Sequence, residues 1–332
     1  MLDQFELSIY EDYKKTLKNY LHKPNYNDFE DLMAFEEIIN DLAIKKPNKD
    51  FIDKHQLLYK ARKLLLFYQQ ESLFKKNVNL DKDYLLFLSK KYKYIDFEED
   101  DLKLKLKKVD INNNLELISD FMSHYNSELY DIFRDLKSNN HIKIFDYNDN
   151  IDYKGVSYLF HHSSPYIILL KKNNIVDGDC LVHEVGHCYQ WNKSLVKSKS
   201  LDYFYSEVYS HYVQFLYLKF LSDQGLYKKD GLAIKKNVLQ LLRMHLVRLN
   251  NYYSGKIKFS DDLVFDDLQY AFGQAIAIYY YNKYLIDPER ADYDMEKFIT
   301  KSSSYDSDKV LDELNINKKK LLTQKKIDNF LK

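Results

Sequence analysis

The sequence predicts a mainly α fold with one small β element. Three observations carry this. Glycine and proline number only 7 and 4 in 332 residues, about a quarter of ordinary usage, too few for a turn-rich sandwich or barrel. Apolar residues recur at three- and four-residue steps through long stretches, the period of an amphipathic helix. Only the region around residues 140–176 breaks this texture, with β-branched and aromatic runs bounded by Asn, Asp and Lys. Aromatic residues make up 16% of the chain, more apolar mass than a disordered chain carries.

Taken in order, FEDLMAFEEIINDLAI (29–44) and DKHQLLYKARKLLLFYQQESLF (53–74) read as helices whose Lys, Glu and Asp face solvent. KKVDINNN (107–114) is a break, followed by a helix over 115–137. HIKIFDY (141–147) and SPYIILLKK (164–172) read as strands, with DYKGVSYLFHHS (152–163) between them. Helices resume over 179–192, 203–223, 230–250, 262–285 and 307–315. The tail KKKLLTQKKIDNFLK reads as a basic amphipathic helix that packs back onto the body, with a membrane-surface role the less favoured alternative. No repeat of fixed period is visible.

Charge excludes one class of partner. Lys+Arg and Asp+Glu are 50 each, and nucleic-acid binding by counterion release needs a basic excess, so no nucleic-acid partner is expected. The longest apolar run, AIAIYYY (275–281), falls far short of the ~20 residues of a membrane span, so no membrane partner is expected. Cys180 and Cys188 sit eight residues apart on an expected helix. That separation is roughly 12 Å, too far for a disulfide. With no basic-then-apolar leader in MLDQFELSIYEDYKK, a cytoplasmic protein is the expectation. The sequence is silent on oligomeric state.

The chemistry is concentrated in LVHEVGHCYQ (181–190). His183 and His187 are four apart, so a helix puts both imidazoles on one face, where each can give a nitrogen to one tetrahedral Zn²⁺. Glu184 can reach a water beside that ion and act as general base. Asp177 and Asp179 suit an N-cap and first turn. The competing reading is a buried helix whose histidines are satisfied by core hydrogen bonds. A third ligand is needed to leave the fourth position open. FYSEVYSHYVQFLYLKFL (204–221) offers one acid, Glu207, in an otherwise apolar helix. A lone buried carboxylate is costly unless it is paired or binds a metal. Its 20-residue distance from His187 allows the first helix to end, turn at WNKSLVKSKS and return antiparallel. The alternative is a salt bridge to a distant Lys or Arg. His211, one turn beyond Glu207, is either a support for a ligand or a core histidine, with direct ligation the least favoured role.

These residues resemble the M3 family of zinc metallopeptidases, the thimet-oligopeptidase and oligoendopeptidase F group. PYIILLKKNNIVDGDCLVHEVGHCYQ (165–190) is similar to the family's substrate-binding edge strand, turn, acidic cap and HExGH helix. IKIFDYNDNIDYKGVSY (142–158) resembles its strand pair with a Gly-containing loop. SEVYSHYVQFL (206–216) resembles its glutamate-ligand helix, with Ser210 where the family often has serine. LQYAFGQAIAIYYYNKYL (268–285) resembles its late Tyr-x-x-Gly helix, and SSSYDSDKVLDELNI (302–316) its closing helix. The likeness covers roughly 137–332.

The resemblance implies a helical gluzincin-type metallopeptidase with a small β element beside the HExxH helix. It divides the chain into a helical region, 1–136, and a zinc metallopeptidase catalytic region, 137–332. It implies one Zn²⁺ per chain on His183, His187 and Glu207, Glu184 as general base and Tyr270 as donor to the tetrahedral oxyanion. Short unstructured peptides are the implied substrates, with the 166–170 strand pairing to their main chain by β-addition. Gly186 would let the glutamate-bearing helix pass close to the HEVGH helix.

Two departures bear on function. The chain is much shorter than typical members. The family's His- and Tyr-rich loop before the Tyr-x-x-Gly helix reads here KIKFSDDLVFDDLQYAFG (256–273), without histidine and with Tyr270 alone matching. His245 and NNYYSG (250–255) are nearby substitutes by sequence. An active zinc endopeptidase is therefore the first expectation. A catalytically weak or inactive M3-like protein that binds peptide or a protein partner is the second.

Overall fold

A computed structural model describes residues 3–23, 25–45, 82–95, 106–147, 154–194, 205–258, 261–302 and 307–332. It is mainly helical with one three-stranded sheet. Two compact units emerge, each discontinuous in sequence: residues 1–76 with 130–172, and 77–129 with 173–332. The helix expected over 53–74, and residues 195–204 of the expected turn, lie outside the described residues.

In the first unit, α1 (Gln4–His22) opens on a capping box: Asp3 accepts from the Glu6 amide while the Glu6 side chain accepts from the Asp3 amide. It packs with α2 (Tyr26–Lys45) and the sheet over a core containing Phe5, Ile9, Tyr13, Phe35, Phe160 and Tyr166. The strands are β1 (Ile142–Asp146), β2 (Gly155–Tyr158) and β3 (Tyr166–Lys171), in the order β1-β3-β2. β1 runs parallel to β3 with Ile142 opposite Ile167. β2 runs antiparallel to β3 with Gly155 opposite Leu169. Tyr166–Leu170 is buried without alternation, as a strand covered on both faces must be.

This corrects one expectation. β3 is the central strand, not an edge: its hydrogen-bonding sides are taken by β1 and β2. An added peptide strand therefore cannot pair with residues 166–170.

The second unit contains α3 (Lys82–Ser89), α4 (Ile111–Tyr125), α6 (Ile175–Lys193), α7 (Ser206–Asp223), α8 (Lys228–Tyr253), α9 (Asp261–Tyr284), α10 (Pro288–Ser302), α11 (Ser307–Glu313) and α12 (Gln324–Leu331). The expected helix over 115–137 is two helices, α4 and α5 (Ser127–Ser138), because Asn126 turns extended and its side chain accepts from the Glu128 and Leu129 amides. The tail does pack back: Phe330 is fully buried against the rings of Phe215 and Tyr281, at 4.6 and 5.6 Å. Tyr125 and Tyr212 both donate to Asp292 Oδ1 at 2.8 Å, and Tyr189 donates to Glu296 at 2.5 Å. These bonds tie α10 to α4, α6 and α7. No disulfide joins Cys180 and Cys188. Among the described residues, no helix is long and apolar enough to cross a membrane.

Candidate metal centre

The centre is built on α6, which follows β3 after a three-residue connection. The helix starts at Ile175, four residues before the expected 179, because Asn174 caps it. The Asn174 side chain accepts from the Val176 amide, and Asp177 at the third position completes a capping box. Asp177 thus takes the acidic first-turn role. Asp179 does not: it is buried inside the helix, where its Oδ2 accepts from Gln214 Nε2 on α7 at 2.6 Å.

α7 lies antiparallel against α6, since Gln190 meets Tyr205, Gly186 meets Ser210 and Asp179 meets Gln214. A Cβ on Gly186 would stand 2.7 Å from Ser210 Cα, so the close approach expected at Gly186 is present. α9 also packs closely on α7, at Gly273 against Glu207.

This packing brings His183, His187 and Glu207 together, with one ligand atom of each within 4.8 Å of the others. His183 Nε2 and His187 Nε2 are 3.1 Å apart. Glu207 Oε2 is 3.2 Å from His183 Nε2, and Oε1 is 3.7 Å from His187 Nε2. Ligands about 2.0–2.2 Å from a tetrahedral ion stand about 3.4 Å from one another, so these separations fit one ion. Two further observations support the fit. Among the described residues, buried Glu207 Oε2 meets no hydrogen-bond donor besides the His183 imidazole. His187 is hydrogen-bonded to the Ser206 backbone, and Ser210 Oγ lies 3.4 Å from its Nδ1, which leaves Nε2 as a lone pair. Gln269 on α9 donates to Ser206 Oγ at 2.7 Å and to Glu207 Oε1 at 3.5 Å. Nothing in the sequence distinguishes Gln269 from other polar residues of its helix.

The charges couple strongly. Burial pushes the Glu207 carboxyl up, but the imidazoles of His187, His183 and His211 outweigh it and hold it at about 2. Burial pulls His183 down, but its bond to Glu207 and the charges of Glu207, Glu184 and Asp179 carry it up to about 9. His187 is lowered by burial, with Glu207 opposing. Burial and then the neighbouring His183 bring His211 down to about 3.

Glu184 is buried beside His183 in sequence, 7% exposed. Tyr270 is on α9, three residues before Gly273, and is 39% exposed. Its ring stacks on His245 of α8 at 5.3 Å. His245 Nδ1 is in turn 2.7 Å from buried Asp267 Oδ1, which Arg248 also reaches at 3.3 Å. A histidine therefore does stand beside Tyr270, supplied by another helix rather than by the preceding loop.

No protein-family model and no curated protein matches the sequence. Solved structures do match the fold. A candidate oligoendopeptidase F from Bacillus anthracis superposes with a TM-score of 0.59 at 12% identity, over 95% of this chain and 63% of that one. A candidate peptidase from Chlamydophila abortus gives 0.56 at 17% identity, over 98% and 62%. PZ peptidase A, solved with an inhibitor, gives 0.57 at 12% identity, over 98% and 75%. The chain thus has the fold of oligoendopeptidase-type peptidases, and spans less than two thirds of the length of the first two.

Proposed function

We propose that this protein is a zinc-dependent endopeptidase of the M3 type acting on short unstructured peptides. The observation that carries the reading is the convergence of His183 Nε2, His187 Nε2 and a Glu207 carboxylate oxygen within 4.8 Å, on a fold shared with peptidases.

His183, His187 and Glu207 would hold one Zn²⁺. When bound, such an ion polarises a carbonyl and acidifies water. The remaining steps belong to the chain. Glu184 removes a proton from the attacking water as its oxygen bonds to the scissile carbonyl carbon. The same carboxyl then delivers that proton to the departing amine nitrogen as the C–N bond breaks. Tyr270, held by its stack on His245, donates its phenolic hydrogen to the carbonyl oxygen as negative charge develops there.

Glu184→Gln separates this reading from its rival. The variant should retain zinc, because Glu184 lies outside the ligand cluster, yet lose cleavage of a quenched-fluorescent peptide. Cleavage at the wild-type rate would overturn the assigned chemistry. A wild-type protein that binds zinc and peptide without cutting would support the second reading, a peptide-binding protein.

A further inference from the structure

Among the residues around the centre, His211 has an orientation that the ligand set does not explain. It is buried, 6% exposed. Its Nδ1 is 2.9 Å from Gln214 Oε1, and Gln214 Nε2 donates to Asp179 Oδ2 at 2.6 Å. Asp179 therefore fixes the amide: a carboxylate accepts, so the amide nitrogen must face it and the amide oxygen must face His211. An amide oxygen can only accept, so the His211 hydrogen sits on Nδ1. The other ring nitrogen, Nε2, then carries a lone pair. Among the described residues it has no hydrogen-bond partner, and it lies 3.7 Å from Glu207 Oε2.

We propose that His211 is a positioning residue of the cation centre, and that Asp179 and Gln214 hold its hydrogen on Nδ1 so that Nε2 cannot donate to Glu207. This rests on the reading that His183, His187 and Glu207 bind a cation. The opposite tautomer would place an N–H opposite Glu207 Oε2, where it would bond the carboxylate and compete with the ion for it. The relay withholds that bond. It also adds a neutral lone pair to the surroundings of a positive charge. The His211 ring stacks on Phe215 at 5.9 Å, so an aromatic replacement has an apolar neighbour to pack against.

The test joins a tautomer measurement to zinc affinity. Long-range proton–nitrogen correlation spectra of ¹⁵N-histidine-labelled, cation-free wild type should show His211 protonated at Nδ1 only. Gln214→Leu removes the acceptor and should shift the hydrogen to Nε2. Its affinity for Zn²⁺, read by chelator competition, should fall about tenfold, the lower end of the cost of losing a partner behind a ligand. The double variant Gln214→Leu/His211→Phe has no N–H to offer and should regain most of that loss. Recovery on removing a second side chain is something a merely structural role for Gln214 does not produce. An Nε2–H signal in the wild type, unchanged zinc affinity in Gln214→Leu, or no recovery in the double variant would each overturn the inference. A wild type that binds no zinc would overturn the cation reading and this role with it. Tight wild-type binding with hydrogen on Nε2 would overturn the role alone.

Discussion

A Cβ on Gly273 would lie 2.4 Å from the Cβ of Glu207, and 3.2 and 3.3 Å from that residue's C and Cα. Real Cβ atoms do not approach so closely, so α9 and α7 could not pack as they do around any larger residue. The glycine thereby helps to set where the carboxylate stands. Gly273→Ala should push Glu207 away from the two histidines. Overpacking of this kind costs about 1–3 kcal/mol, and zinc affinity should fall with it. Gly231→Ala is the contrast. Its nearest neighbour would be Leu218 Cδ2 at 4.0 Å, and a helical Gly→Ala change there should add about 0.5–1 kcal/mol of stability. Urea unfolding and chelator competition on both variants check this. Equal effects would refute it.

Tyr270→Phe isolates the phenolic hydroxyl. The ring that stacks on His245 at 5.3 Å is kept, so stability and zinc content should not move. If the hydroxyl donates to the developing oxyanion, kcat should fall on the order of 10²–10³-fold, the usual cost of one lost donor, with KM little changed. Steady-state kinetics on one fluorogenic peptide is the measurement. Wild-type kcat in Tyr270→Phe would remove Tyr270 from the chemistry.

The histidine pair was legible in the sequence because helical period alone puts positions 183 and 187 on one face. Glu207 was legible because a single acid in an apolar helix needs a partner. The packing role of Gly186 followed from the absence of a Cβ. What lay beyond reach depended on partners chosen in three dimensions. Strand character of residues 166–171 could be read, but not that β1 and β2 would occupy both sides. The start of α6 is not legible in the sequence, where Asn174 is one more turn residue; its reciprocal bonds with Asp177 create the cap. Asp179 read as a first-turn acid for the same reason. The orientation of His211 depends on an amide on α7 and a carboxylate on α6, and no spacing rule encodes it.

Asp292 should be a stability residue without a role in the chemistry. Both Tyr125 and Tyr212 donate to its Oδ1. Asp292→Ala leaves two phenols without their acceptor, and a buried group left unsatisfied costs about 1–3 kcal/mol. Tyr212→Phe removes one donor and leaves the other, so it should cost less. Chemical denaturation should rank the variants in that order, with zinc stoichiometry unchanged in each. A ranking in the opposite order would show that the carboxylate is not what holds these helices.

Loading of the centre should release a proton, and the coupled titrations say which one. In the cation-free protein at pH 7, His183 is charged because Glu207 and its acidic neighbours hold it up to about 9. Glu207, held at about 2, is ionised, and His187 and His211, both lowered, are neutral. Only His183 must then give up a proton to offer Nε2 to an ion. Zinc binding at pH 7 should release close to one proton. Affinity should rise about tenfold per pH unit and level off near pH 9. The stability of the cation-free fold runs the other way. His183 is raised above its ordinary 6.5, so its contribution is full below that value and is lost as pH rises through about 9. Glu207 is depressed from 4.5, so its contribution is full above that value and is lost as pH falls toward about 2. The pair therefore stabilises the empty fold most between about pH 4.5 and 6.5, and the gain in Tm on adding zinc should widen from pH 6 to pH 9. Calorimetric titration in buffers of different ionisation enthalpy counts the protons, and thermal unfolding with and without zinc follows the gap. Binding that releases no proton, with a gap that stays constant across this range, would mean that the ion does not displace a proton from His183.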